Sequence, residues 1–369
     1  MKKTKLKIAV AGAALVVAAA TGMALAASGS STTSGSERPR TEQSTQQSKQ
    51  SKQSTQQSKQ RTPSAIKADG PNVFPHSLDF DAQSKTFFAG SLKQGKVYAV
   101  GPDGKVRTHI DDPELVSAQA VLADRERDRI LVSNVDYGTA DRSRKEAPFR
   151  IAGVGSYDLD TGKQEWCVDL TAVALDGKQH LISDVTVGPD GTAYAVDELT
   201  PTVFRIDREG RASVFLRSDL LQGKLDIPDF LDGVGMAAVE WVKGNQLIIA
   251  MADGSLVRVP VQHPEKAQKV KLSARLASPA AGMRLLKDGS IAAVSSGLLS
   301  GKPAKIQRIE PRDGWKEATV KVTDTINDPV TSDVTAGPGG TTYALSGGLA
   351  ALLAGKPNDG FTLTPVKTG

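Results

Sequence analysis

The chain has 369 residues, with 46 Lys and Arg against 41 Asp and Glu, a formal net charge of +5. Eleven basic and two acidic residues fall within the first 67, leaving 35 against 39 from residue 68 onward, a net of −4. Nucleic-acid binding thereby loses its main electrostatic support, and the single cysteine excludes an internal disulfide, a Cys-rich metal site and a redox pair.

Residues 1–27 open with Lys2, Lys3, Lys5 and Lys7, continue with an apolar run from Ile8, and end in small residues around Ala24-Leu25-Ala26. A basic region, an apolar region and an A-x-A-like site predict a secretory signal peptide rather than a membrane anchor. No later segment is apolar enough to span a bilayer, so the mature chain is expected to be secreted, extracytoplasmic and monomeric. Residues 28–67 are Ser, Thr, Gln and Lys with few aliphatic side chains, and "QSTQQSKQ" occurs at Gln43 and again at Gln53. Such a segment buries too little apolar surface to offset the entropy of ordering, and reads as a disordered tether. The folded part is then 68–369.

Six hairpin-like phrases follow. "HSLDFDAQSKTFFAGS" starts at His76, "QAVLADRERDRILVSN" at Gln119 and "SDVTVGPDGTAYAVDE" at Ser183. "MAAVEWVKGNQLIIAM" starts at Met236, "GMRLLKDGSIAAVSSG" at Gly282 and "SDVTAGPGGTTYALSG" at Ser332. Each is an alternating strand, a polar or Gly-containing turn and a more hydrophobic strand. The third and sixth phrases share ten of sixteen positions. Most are followed by a third strand, such as "GKVYAV" at Gly95 or "AKIQRIE" at Ala304, and often by a fourth, such as "GRASVFL" at Gly210.

The starts are spaced by 43, 64, 53, 46 and 50 residues, the length of a four-stranded propeller blade. A β-sandwich lacks this period and a β-helix repeats far sooner. The fold expected is all-β, a six-bladed β-propeller. The segment around Ala65 to Val73 is placed to add an outer strand to the last blade and close the ring. Cys167, beside Trp166 in "KQEWCVDL", reads as a buried apolar thiol.

In a propeller, the residues that open the inner strands meet at one end of the central channel. They are His76, Gln119, Ser183 with Asp184, the segment from Asp232 to Met236, Ala281 with Gly282, and Ser332 with Asp333. Asp184, Asp232 and Asp333 would converge from three blades, with His76 opposite as acid or base. Asp at a strand start also caps a turn by accepting backbone N–H bonds. The insertion "NVDYGTADRSRKEAPFR", from Asn134, lengthens the second blade; long loops on rigid scaffolds carry binding residues, which adds Asn134 and Tyr137.

"FPHSLDFDAQSKTFFAGSLKQGKVYAVGPDGKV" and "SDVTVGPDGTAYAVDE" resemble the senescence-marker-protein, gluconolactonase and luciferin-regenerating-enzyme superfamily of six-bladed propellers, over about Pro71 to Val366. The resemblance implies a divalent cation, often calcium, held in the channel by a Glu, two Asn and an Asp, and a lactone or ester hydrolase activity. Those ligand positions fall on His76, Ser183, Gly235 or Met236, and Ala281, so the implied site is degenerate. Asp184 and Asp333 are the carboxylates left to serve a calcium ion. Two functions follow: a ligand-binding or scaffold propeller with a channel-mouth pocket, and a divalent-cation-dependent hydrolase.

Overall fold

The computed structural model describes residues 63–143, 149–223 and 234–369. The signal-like segment, most of the expected tether and Asp232 lie outside the described residues.

The first strand, β1 (Ile66–Asp69), begins two residues before the expected domain start at 68 and is held until the ring closes. Blade I contains β2 (Pro75–Asp81), β3 (Thr86–Ser91), β4 (Val97–Val100) and β5 (Val106–Ile110). Blade II contains β6 (Ser117–Asp124), β7 (Arg129–Val135), β8 (Ala152–Asp158) and β9 (Gln164–Asp169), and is followed by the short helix α1 (Leu170–Ala174). Blade III is β10 (Ile182–Val187), β11 (Ala193–Asp197), β12 (Thr202–Ile206) and β13 (Ala212–Arg217). Blade IV is β14 (Met236–Val242), β15 (Gln246–Met251), β16 (Leu256–Pro260) and β17 (Gln268–Lys269). In blade V a short strand, β18 (Lys271–Leu272), runs parallel to β22 (Glu317–Ile326) outside β19 (Ala280–Leu285), β20 (Ile291–Ser295) and β21 (Ala304–Arg312). Blade VI is β23 (Asp333–Ala336), β24 (Thr342–Ser346) and β25 (Gly360–Val366), with helix α2 (Leu349–Leu353) between the last two.

The ring closes with β1, whose Ile66 to Asp69 pair antiparallel with Leu363 to Gly360 of β25. The first strand of the fold is thus the outer strand of its last blade, as the sequence around Ala65 to Val73 predicts. The inner strands pack as a ring in the order β2, β6, β10, β14, β19, β23 and back to β2.

The repeated phrase earns its place in the inner hairpins. In the first copy the Gly191 N–H donates to the Gly188 carbonyl at 2.9 Å, and Gly191 has φ +86°. In the second the Gly340 N–H donates to the Gly337 carbonyl at 3.1 Å. A left-handed residue closes this turn without steric cost only when it lacks Cβ.

The core is divided among the blade interfaces. Among the described residues, one apolar cluster spans each adjacent pair of blades. Leu78 and Phe87 of blade I meet Tyr343 and Leu363 of blade VI, for example. Burying a Leu or Phe side chain contributes roughly 1.5–3 kcal/mol, so the ring is held mainly by these six seams.

Cys167 departs from expectation: it is exposed. It lies on β9, the outer strand of blade II, where Trp166 and Val168 turn inward while Glu165, Cys167 and Asp169 face out. The period of two, and not the apolar neighbours, decides its side. Among the described residues, no helix is long and apolar enough to cross a membrane.

Candidate site at the channel mouth

Five of the inner hairpins carry a register shift near the start of the inner strand, between Pro75 and Ser77, Ala118 and Val121, Ile182 and Asp184, Met236 and Ala238, and Ala280 and Met283. A bulge leaves a residue out of the ladder and re-aims its side chain. The bulged residues His76, Gln119, Ser183, Ala237, Ala281 and Gly282 all line one cavity of about 400 Å³. Asp184, Ser332 and Asp333 line it as well. In blade IV the lining residue of the bulge is Ala237, where the sequence had pointed to Gly235 or Met236.

Beyond this floor the walls come from connecting segments: Tyr137 and Phe149 of the blade II insertion, Leu298 and Leu299 after β20, and Leu352 and Leu353 of α2. Tyr137 meets Phe149 edge-on at 5.9 Å. Asn134 is not among the lining residues. Its Oδ1 accepts the Val116 N–H at 2.8 Å and its Nδ2 donates to the Glu114 carbonyl at 2.8 Å, so it fastens the segment entering blade II.

The polar residues of the floor divide into clamps and available groups. Asp184 Oδ1 accepts from its neighbour Val185 N–H, and Oδ2 accepts the Val239 N–H of blade IV at 2.8 Å. Asp333 Oδ1 accepts from Val334, and Oδ2 accepts the Leu78 N–H of blade I at 3.0 Å. Two further carboxylates on inner strands, Asp79 on β2 and Glu240 on β14, act alike. Asp79 accepts the Ala123 N–H of blade II at 3.0 Å, and Glu240 accepts the Leu285 N–H of blade V at 3.1 Å. Ser183 also bridges blades, donating to the Met236 carbonyl at 2.9 Å. The aspartates thus accept backbone N–H bonds, as turn-capping aspartates do, but half of those bonds come from the adjoining blade.

Arg284 of β19 lies among these carboxylates, 3.2 Å from Asp79 and 3.9 Å from Glu240. Burial opposes its charge, but the surrounding carboxylates outweigh that and hold the guanidinium charged. Burial raises Asp333 to about 6 and Glu240 to about 7, with Arg284 pulling both down. Asp184 rises well above the usual carboxylate range because it is desolvated, and Asp333 and Glu240 add to the rise against the Val239 N–H. The close approach of blades V and VI here requires a glycine: a Cβ on Gly282 would lie 2.1 Å from Asp333 Oδ1.

His76, Gln119, Ser332 and Glu198 are the available groups. Burial alone depresses His76 to about 4, so its imidazole is neutral at pH 7. Burial holds the Tyr137 phenol, which lines the cavity with Gln119, well above its usual range. Gln119 Oε1 and Ser332 Oγ are buried and have no hydrogen-bond partner among the described residues. Glu198, just beyond β11, lines the cavity, and burial, reinforced by Asp197, raises it to about 7. Sequence reasoning passed over Glu198 because it opens no inner strand.

The residues do not fit a divalent cation of the kind the resemblance implies. Each oxygen of Asp184 and of Asp333 already accepts one backbone N–H bond, and the positive charge of Arg284 acts on both carboxyls in the place a cation would take. Calcium takes six to eight oxygen ligands with free lone pairs. Among the described residues, no group of three or more His, Cys, Asp or Glu side chains is arranged to hold a metal.

No protein-family model matches the chain, and no curated protein matches it. Solved structures share its fold. The major allergen Mala s 1 of Malassezia sympodialis superposes with a TM-score of 0.64 at 16% identity, covering 83% of this chain and 96% of that one. A luciferin-regenerating enzyme gives 0.52 at 11% identity, with 83% and 97% covered. A protein assigned as a gluconolactonase gives 0.51 at 14%, with 82% and 92% covered. The six-bladed propeller is therefore shared with the superfamily that the first and third blades resemble. At these identities the likeness is one of fold.

Proposed function

We propose that this protein is an exported, non-catalytic propeller that binds one small, largely apolar molecule in the cavity at the channel mouth. The observation that carries this reading is the cavity itself, about 400 Å³, with bulged residues of five inner strands for a floor and Leu, Tyr and Phe side chains of three connections for walls. That volume is in the range of small-molecule sites, which are mostly apolar with a few placed polar groups. Export rests on the basic, apolar and small-residue pattern of residues 1–27.

One observation favours a second reading, a lactone or ester hydrolase. His76, neutral at pH 7, and Glu198, near 7, line the same cavity. Glu198, poised near the working pH, suits proton transfer, and the neutral His76 imidazole can accept a proton. No step through a metal is assigned, since the carboxylates beside them are already engaged.

Thermal denaturation with a panel of apolar small molecules, run beside a lactone and ester hydrolysis panel, separates the two. The binding reading expects stabilisation by some members, about 2.7 kcal/mol at a hundredfold excess over Kd, and no turnover. Turnover abolished by His76→Ala would move the assignment to the hydrolase.

A further inference from the structure

The floor of the cavity is polar on one side of the ring and bare on the other. Gln119 in the bulge of β6, His76 in the bulge of β2 and Ser332 just ahead of β23 belong to blades II, I and VI, which are consecutive around the channel. Ala237, Ala281 and Gly282 belong to blades IV and V and bring no polar side-chain atom. Leu298 and Leu299, which follow β20 of blade V, extend that apolar side. The polar groups of blade III are already engaged, Ser183 with the Met236 carbonyl and Asp184 with the Val185 and Val239 N–H groups.

On the polar side two atoms stand unpaired. Gln119 and Ser332 are 1% and 5% exposed, and Gln119 Oε1 and Ser332 Oγ have no hydrogen-bond partner among the described residues. The backbone around them is fixed. Next to Gln119, the Ala120 N–H donates to Ser133 Oγ at 2.8 Å. The Ser332 N–H donates to the Leu345 carbonyl, and its own carbonyl accepts the Gly282 N–H, each at 3.0 Å. Buried polar atoms in native proteins are paired, so each exception calls for a partner. An amide presents a donor or an acceptor according to how it is turned, a hydroxyl presents both, and a neutral imidazole presents one of each. A ligand hydroxyl, which donates and accepts, can meet any of them. An ammonium only donates, and a carboxylate only accepts.

Neither ion finds a full counter-charge here. No Lys or Arg is among the described lining residues. Asp184 and Asp333 spend their oxygens on backbone N–H bonds, and the charge of Arg284 acts on both. Burial also holds Asp184 and Glu198 toward their neutral forms. Taking an uncompensated ion out of water is far more costly than exchanging a hydroxyl bond for bond.

We infer that the occupant is an uncharged apolar alcohol, its hydroxyl on the side of Ser332 and Gln119 and its hydrocarbon body over Ala237, Ala281 and Gly282. This rests on the cavity being a small-molecule site and adds the head group that the site selects.

The test is calorimetric titration of the full-length chain at neutral pH with 4-phenylbutanol, its methyl ether, 4-phenylbutylamine and 4-phenylbutyrate, which share a body and differ in head. The alcohol is expected to bind at least about tenfold more tightly than each of the others. In the double variant Gln119→Met, Ser332→Ala the alcohol-to-ether ratio should fall to within about threefold of unity, with a cooperative melt read alongside to show that the variant is folded. Ser332→Ala alone, which removes only a hydroxyl without a partner, should lower that ratio at least about threefold. The amine, the carboxylate or the ether binding as tightly as the alcohol, or an unchanged ratio in folded variants, would each overturn the alcohol assignment and leave the pocket reading standing. Binding of none of the four would count against both.

Discussion

Asp333 of the last blade accepts the backbone N–H of Leu78 in the first at 3.0 Å, across 255 residues of sequence. The same relation recurs from Asp79 to Ala123, Asp184 to Val239 and Glu240 to Leu285. The carboxylates at the channel are therefore interblade fasteners, and that sets what their replacement does. Asp333→Ala leaves the buried N–H groups of Leu78 and Val334 without an acceptor, at about 1–3 kcal/mol each. It should lower unfolding stability by about 2–6 kcal/mol, and Asp333→Asn, which keeps one acceptor, by less. Urea denaturation of the two variants gives the order, and equal stability of Asp333→Ala and the parent would refute the fastening role.

Arg284 offsets the charge of those fasteners. Replacing it with Leu leaves Asp79, Asp184, Glu240 and Asp333 without the guanidinium, and removing one partner from a buried charge cluster costs about 3–5 kcal/mol. The loss should be larger at pH 8 than at pH 5, because Asp333 and Glu240, near 6 and 7, ionise in between. Stability curves for Arg284→Leu that run parallel to the parent across that interval would contradict the assignment.

His180 provides a second pH-dependent term. It is 1% exposed, with Nδ1 2.5 Å from Asp197 Oδ2 and Nε2 3.0 Å from Asp176 Oδ1, and Asp176 also meets Arg217 at 3.4 Å. Burial opposes its charge, but the two carboxylates outweigh burial and raise it above the ordinary 6.5. A raised folded value means that the stabilisation is fully present below 6.5 and is lost as pH climbs through the folded value. The stability difference between the parent and His180→Gln should therefore be largest under mildly acidic conditions and shrink toward alkaline pH. A difference that grows with pH would reverse the sign.

Divalent cations should leave the fold indifferent. With the oxygens of Asp184 and Asp333 already accepting N–H bonds, millimolar calcium or chelator is expected to leave the melting temperature unchanged. A cation that binds the native state at a hundredfold excess over its Kd would add about 2.7 kcal/mol, and a rise of that size would show a metal site in this protein.

The sequence carried the ring more fully than the pocket. Every inner hairpin announced itself through alternation and a turn, because each blade must present the same apolar faces to two neighbours. The strands opening at His76, Gln119, Ser183, Ala281 and Ser332 therefore converge as read. The clamps were visible only as charged residues inside alternating strands, Asp79 in "HSLDFD", Glu240 in "MAAVEWV" and Arg284 in "GMRLL". Nothing in a single strand shows which blade's N–H a carboxylate will meet. Asn134 reads as a loop-borne binding residue, yet its amide is consumed by Val116 and Glu114. Glu198 and Leu352 reach the cavity from segments beyond strand ends, where periodicity gives no direction.

The central claim is that the channel-mouth cavity holds a small molecule, and filling that cavity from its floor tests it most directly. Ala237 lies in the blade IV bulge and is partly exposed to the cavity. Calorimetric titration of the tightest binder into the parent and into Ala237→Trp, with melting temperatures measured in parallel, is the decisive comparison. The account predicts binding weakened by about a hundredfold or more, roughly 2.7 kcal/mol, in a variant that still melts cooperatively. Undiminished affinity in a folded Ala237→Trp would place the ligand elsewhere and contradict it.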